Sequence, residues 1–289
     1  MKTRIISGAV LVTLLVALLA VSVEYSAVMF IACAILSAIA VYEALYTTGI
    51  AKNKAITAVG CAFSVLYILR DVLGGLLPAL FLKYANITNT EFLTVLFVLI
   101  QFALYLKFHK DIKLHGMLGM IALPIVISYA FFGFATLVIA GSALLYVVLV
   151  FCWSAIADTG AYFVGVAIGK HKMAPVISPK KSWEGLIGGI LSSLLVTFGV
   201  CMLYQNCFDI KVSTIGILIA TPIFVLIGVM GDLTASLIKR KCEIKDFGRL
   251  IPGHGGILDR FDSILMISAA FATLIEHISF MPGGTSFSL

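Results

Sequence analysis

Charge is scarce in this 289-residue chain: 12% of its residues are charged and 61% are hydrophobic, whereas soluble domains carry about 25% charged residues. That shortage excludes an ordinary water-soluble globule. Also missing is the apolar–polar alternation, in segments of about ten residues, that a membrane β-barrel requires. The chain has no heptads, no low-complexity stretch and no repeat of fixed period, which argues against coiled-coil and solenoid architectures. Its six cysteines form no CxxC pair and no Cys/His ligand spacing, so neither a disulfide framework nor a zinc site is expected.

What is present is apolar length. Uncharged runs cover 5–23, 25–42, 116–157, 185–208 and 212–231, and a helical crossing takes roughly 20 residues. The expected fold is an all-α polytopic transmembrane bundle of about nine spans, near 5–23, 26–48, 55–73, 92–106, 117–137, 141–165, 186–205, 214–235 and 263–281. With the N-terminus inside, the segments 1–4, 49–54, 107–115, 170–184 and 239–260 share one side and hold 17 of the 20 Lys and Arg residues. This positive-inside bias gives an N-in, C-out orientation. It also accounts for the net charge of +6 without nucleic acid. Between 55 and 91, Arg70, Asp71, Gly74, Gly75 and Pro78 interrupt the apolar pattern and suggest a broken or re-entrant helix, leaving eight or ten spans open. Lys2 and Arg4 before an apolar run resemble a secretory signal, but the many later spans favour a retained first helix. The expected organisation is an N-terminal region of about four spans, 1–115, and a catalytic region of about five spans, 116–289, with cytoplasmic loops 170–184 and 239–260.

Half of the charged residues fall in two windows, 158–184 and 232–262. An ionisable group at the bilayer centre costs about 2.5–3.5 kcal/mol on insertion scales, so Asp158 and Asp232, beside apolar spans, need partners. Helical spacing puts Asp158, Tyr162 and Gly165 on one face, while Gly165 and Gly169 suit close helix packing. The loop 170–184 contains Pro175 and Pro179, then Ser178, Lys180, Lys181, Ser182 and Glu184. These supply phosphate donors and a metal or amine partner, although basic loops often only set topology.

The second window is the more informative. Asp232, Ser236 and Lys239 stand at i, i+4 and i+7, so an acid, a hydroxyl and an ammonium share a helical face. Glycines near Gly255 and Gly256 then let backbone N–H groups converge on an anion ahead of a new helix. On that helix Asp259 and Asp262 are spaced i, i+3 around Arg260. Carboxylates with phosphate oxygens are the ligands magnesium prefers. The residues alone thus describe a membrane-embedded, metal-dependent phosphoryl or nucleotidyl transfer site.

The segment from Ser236 to Asp262, SLIKRKCEIKDFGRLIPGHGGILDRFD, resembles the signature of the phosphatidate cytidylyltransferases, or CDP-diacylglycerol synthases, at every fixed position. The upstream DTGAYFVG and SPKKSWEG stretches are similar to that family too. The resemblance implies CTP and phosphatidate as substrates, CDP-diacylglycerol and pyrophosphate as products, and magnesium as cofactor, with a second cation and a homodimer as further options. It implies a bacterial inner-membrane enzyme whose site faces the cytoplasm. Within it, Asp232 and Asp259 are expected to hold the principal metal, with Asp262 or Asp246 assisting. Lys239, Arg240, Lys245 and Arg260 would neutralise the triphosphate, and Ser178, Lys180, Lys181 and Ser182 would bind a phosphate. His254 would donate to a phosphate oxygen or orient Asp246. Glu184, Ser236, Gly255 and Gly256 complete the expected substrate contacts.

A CTP-dependent polyprenol kinase is the competing enzyme, and an ion-coupled transporter the competing non-enzyme. Asp259→Asn is expected to retain the fold and lose CDP-diacylglycerol formation by several orders of magnitude; near-normal turnover removes Asp259 from the metal ligands.

Overall fold

The computed structural model describes residues 2–49, 53–76, 89–110, 112, 114–140, 142–253 and 255–277. Each apolar run becomes a helix: α1 (Lys2–Glu24), α2 (Ser26–Tyr42), α3 (Lys54–Leu76), α4 (Thr90–Lys107), α5 (Leu114–Ile139), α6 (Ala143–Phe151), α7 (Ala157–Ile168), α8 (Trp183–Phe208), α9 (Thr214–Lys241) and α10 (Leu258–His277). Two π-helical turns extend this pattern: Glu43–Thr47 continues α2, and Cys152–Ile156 joins α6 to α7 without a break. Among the described residues, seven such helices are long and apolar enough to cross a membrane. The expected first and last spans are also helices, but α10 opens with Asp259, Arg260 and Asp262, so its apolar stretch starts only at Ser263.

The all-α expectation has one exception. Residues in the loop 170–184 form a hairpin of β1 (Lys172–Ala174) and β2 (Ser178–Ser182), antiparallel, with Lys172 opposite Ser182 and Ala174 opposite Ser178. Pro175 falls between the strands and Pro179 inside β2; both exclude helix, and neither excludes a short edge strand.

The chain forms two compact units, Met1–Ala135 with Lys241–Phe261, and Thr136–Arg240 with Asp262–Leu289. The expected division at 115/116 falls inside the first of these. That unit packs α2 on α3 around Gly60, where a Cβ would lie 3.0 Å from Leu45 and 3.3 Å from Val41 and Pro124. The interruption expected at Arg70, Asp71 and Gly74 is unbroken helix to Leu76; Pro78 lies outside the described residues. Arg70 is tolerated there because its guanidinium lies 3.8 Å from the Phe132 ring centroid and 4.7 Å from that of Tyr67, and its Nη1 donates to the Tyr67 carbonyl at 2.8 Å. Cation–π contact and a backbone acceptor stand in for water.

In the second unit Trp153 stacks on Phe224 at 4.4 Å and meets the edge of Phe271 at 4.9 Å. Its indole N–H donates to the Thr221 hydroxyl at 3.1 Å. Helices α7 and α8 approach through glycines, as expected for Gly165, whose Cβ would be 3.2 Å from Ser182 Oγ and 3.7 Å from the Gly185 Cα. Gly160, Gly188 and Gly189 extend the contact, with Gly188 facing the side chain of Val164. Such spacing lets backbones pack closely where no hydrophobic effect drives helices together.

Gly188→Ala therefore overlaps Val164 and should cost about 1–3 kcal/mol of stability. Gly199, farther along α8, has nothing within 4 Å of its Cβ position, and Gly199→Ala should be neutral or stabilising by up to about 1 kcal/mol. Thermal unfolding of both variants in detergent checks the pair; equal melting temperatures would show that the α7–α8 glycines are not close-packing positions.

Candidate active site

The π-helical turn Cys152–Ile156 precedes Asp158 and is held by Ser193, whose hydroxyl donates to the Cys152 carbonyl at 3.1 Å. Such turns add a residue to the helix and rotate the side chains beyond it. Asp158 is therefore within a continuous helix, and it interacts with Lys181 and Asp232. The Lys181 ammonium lies 2.5 Å from Asp232 Oδ2, with both side chains mostly buried. Ser236 donates to Asp232 Oδ1 at 3.4 Å, as the i, i+4 spacing predicts. Asp262 completes the group. It faces Asp232, Lys239 and Asp158 electrostatically, and its Oδ1 accepts the Ser263 N–H at 2.7 Å. Gly231 makes this possible: its Cβ would fall 2.7 Å from the Asp262 carbonyl, so only glycine lets α9 approach α10 there.

The hairpin brings Lys181 to these acids. It is fastened by Glu184, whose carboxylate accepts the His171 backbone N–H at 3.1 and 3.2 Å and meets His171 Nδ1 at 2.6 Å. Glu184, expected among the substrate contacts, thus holds the hairpin's first residues. Ser182 caps α8 by accepting the Gly185 N–H at 3.2 Å, an ordinary N-cap role. Beside the hairpin is a cavity of about 230 Å³ lined by Asp158, Ser178, Lys180, Lys181 and Ser182 together with Tyr162, Met173, Leu186 and Val229. Four of the expected phosphate-binding residues therefore converge on one space. Arg240 reaches the same hairpin, its Nε 3.5 Å from the Ile177 carbonyl.

In the Met1–Ala135 and Lys241–Phe261 unit, a second groove of about 700 Å³ is lined by Lys245, Asp246, Gly248, Arg249, Ile251, Pro252, Gly253, Gly255 and Arg260. Arg249 was not expected, and it adds a guanidinium to the anticipated Lys245 and Arg260. His254 lies outside the described residues. The amides near Gly256 carry carboxylates in place of the expected phosphate. Asp259 Oδ2 accepts the N–H groups of Phe247 at 2.7 Å and Gly256 at 3.0 Å. Glu43 accepts those of Ile257 at 3.1 Å and Leu258 at 2.9 Å. Glu43 is 3% exposed. Its signal in the sequence was an acid closing an apolar run, the kind of residue that marks a functional or structural partner.

Asp232, paired with the Lys181 ammonium, interacts electrostatically with Asp158 and Asp262, and carboxylates of this kind suit a divalent cation. Among the described residues, no three His, Cys, Asp or Glu side chains form a group that holds a metal unaided. Magnesium does not need one, since it commonly takes one or two carboxylates and completes its shell with water and substrate phosphates. The residues fit that arrangement.

A family-wide sequence description, the cytidylyltransferase family, matches residues 2–278. The chain belongs to the cytidylyltransferase family. Relatives named phosphatidate cytidylyltransferase include one from Haemophilus influenzae, 46% identical over 124 residues, 43% of this chain and 42% of the relative. Another, from Staphylococcus saprophyticus, is 43% identical over 133 residues, 46% of this chain and 50% of the relative. A third, from Staphylococcus aureus, is 48% identical over 122 residues, 42% of this chain and 45% of the relative. The chain spans about half the length of the relatives it matches.

For this cytidylyltransferase-family chain the acid cluster sets an order of stabilities. Lys181→Met leaves Asp158, Asp232 and Asp262 facing one another and should cost about 1–3 kcal/mol, below the 3–5 kcal/mol of a fully buried pair because both groups retain some solvent. Asp232→Asn removes a negative charge from the same cluster and should cost less. Thermal unfolding at neutral pH in chelator decides; a larger loss for Asp232→Asn would show that repulsion among the acids is not what Lys181 offsets.

Proposed function

We propose that this protein is a phosphatidate cytidylyltransferase, converting CTP and phosphatidate to CDP-diacylglycerol and pyrophosphate at the cytoplasmic face of a bacterial inner membrane. The observation that carries this reading is the cavity beside the hairpin. Its polar wall, Ser178, Lys180 and Ser182, adjoins an apolar wall of Met173, Leu186 and Val229, which suits a phosphate head whose acyl chains stay among apolar helices. Family membership and the names of the relatives support the same conclusion. The basic residues gathered at 1–4, 49–54, 107–115, 170–184 and 239–260 support an N-in, C-out orientation.

A phosphate monoester is already an anionic nucleophile, so its attack on the α-phosphorus of CTP requires little base catalysis. One lipid phosphate oxygen forms the new P–O bond while the bond from the α-phosphorus to the pyrophosphate leaving group breaks. The barrier lies in bringing two anions into line, and cationic side chains lower it. Lys180 with Ser178 and Ser182 would hold the lipid phosphate. Lys245, Arg249 and Arg260, which line one groove, would neutralise the triphosphate and the departing pyrophosphate. Asp232 and Asp262 are the carboxylates that would hold magnesium, which when bound supplies positive charge to phosphate oxygens.

The test is purified protein with α-labelled CTP, phosphatidate and magnesium. Labelled CDP-diacylglycerol and released pyrophosphate are expected, and chelator should abolish both. Unlabelled lipid with labelled CDP would instead identify a lipid kinase. Lys180→Ala should raise the KM for phosphatidate about tenfold, the loss of one charge-assisted hydrogen bond; an unchanged KM returns Lys180 to a topological role.

A further inference from the structure

We infer that Glu43 is a positioning residue for the nucleotide, acting through the loop between Phe247 and Leu258; the inference rests on the cytidylyltransferase reading above. Helix α10 begins at Leu258, so the residue in its capping position is Ile257, whose side chain has no acceptor. An uncapped start leaves N–H groups without intrahelical partners. Glu43, 214 residues earlier in the chain, supplies what Ile257 lacks by accepting from both Ile257 and Leu258. A single carboxylate therefore fixes the start of the helix that bears Asp259 and Arg260.

The same carboxylate also sets the backbone on either side of the turn. Gly248 and Gly256 lie so close to Glu43 that a Cβ at either would overlap its oxygens. One turn beyond Glu43, the Thr47 hydroxyl donates to the Phe247 carbonyl at 2.5 Å. Between these fixed points Ile251 and Gly255 exchange two backbone hydrogen bonds, at 2.9 and 3.1 Å. The loop held in this way carries Arg249 and joins Lys245, just before it, to Arg260 on α10, all three lining the groove. Glu43 does not line that groove, so its influence on an anion there passes through the backbone it holds.

Charge and position predict opposite signs. Glu43 and Asp259 are neighbouring acids, so if Glu43 acted only through its charge, neutralising it would make the groove more attractive to a triphosphate. If it acts by position, Glu43→Gln loses one of two acceptors and loosens the loop, so the KM for CTP rises. The expected order of kcat/KM for CTP is wild type, then Glu43→Gln, then Glu43→Ala. Glu43→Gln should be about tenfold down, with the KM for phosphatidate unchanged within about twofold.

The experiment combines these kinetics with amide hydrogen exchange at Ile257 and Leu258 in the full-length protein. Faster exchange at both amides with a selective rise in the KM for CTP supports the inference. Faster exchange with unchanged CTP kinetics, a fall in the KM for CTP, or equal losses for both substrates would overturn it. Should Glu43→Ala fail to fold, Glu43→Gln carries the comparison. Should the wild type make no CDP-diacylglycerol, the proposed function fails by itself; equilibrium binding of labelled CTP then decides, with weaker binding by Glu43→Gln expected and equal or absent binding overturning the inference.

Discussion

An ionised side chain among apolar helices is costly to hold unless something of opposite polarity meets it, and the arrangement of both units reflects how that requirement is met. Arg70 is met by the rings of Tyr67 and Phe132 and by a backbone carbonyl. Glu43 is met by two amides at the start of α10, and Asp232 by the Lys181 ammonium and the Ser236 hydroxyl. The partners differ in kind. Two rings, a carbonyl and the adjacent Asp71 carboxylate, 3.5 Å from its Nε, hold Arg70, whereas Asp232 is met by an ammonium on a long flexible stem.

On the proposed function, that difference separates the structural charges from those that take part in the chemistry. Asp158, Asp232 and Asp262 interact with one another and with Lys181, and a cavity with two serines and two lysines adjoins them. On the proposed function, a divalent ion would sit at this cluster and the phosphates of the substrate would complete its shell. By contrast, the Glu43 and Asp259 carboxylates are engaged by backbone amides of one loop. Acids of the same type are thus met by side chains in one unit and by backbone amides in the other.

Local spacing was readable from the sequence, and distant partners were not. Ser236 and Asp232 are four residues apart on a helix, so their contact comes from helical geometry alone. The helices themselves arise from apolar runs, and even α3, interrupted in composition at Arg70 and Asp71, remains helical because aromatic neighbours shelter the charge. The hairpin was hidden because proline and lysine say only what a segment is not. Its strands pair through a register that no periodicity announces. Glu43 stood at the end of an apolar run, but its partners lie 214 and 215 residues away. Gly255 and Gly256 suggested an anion at the helix start, and the sequence had no means of indicating that the anion would be the protein's own carboxylate.

Because those amides are occupied, the proposed recognition of a phosphate in the second groove would rest on the side chains that line it. Lys245, Arg249 and Arg260 are long and reach their positions at an entropic cost, and single exposed ion pairs contribute little and are screened by salt. On the proposed function, affinity for a triphosphate would come from several such groups acting on one ligand, held by the loop and the segments it joins. A loop free to move would spread the same three cations over many arrangements, most of them unable to engage one anion together. Fixing the backbone with buried carboxylates lowers that ordering cost before the ligand arrives, so two internal negative charges beneath a cationic groove are compatible with anion binding.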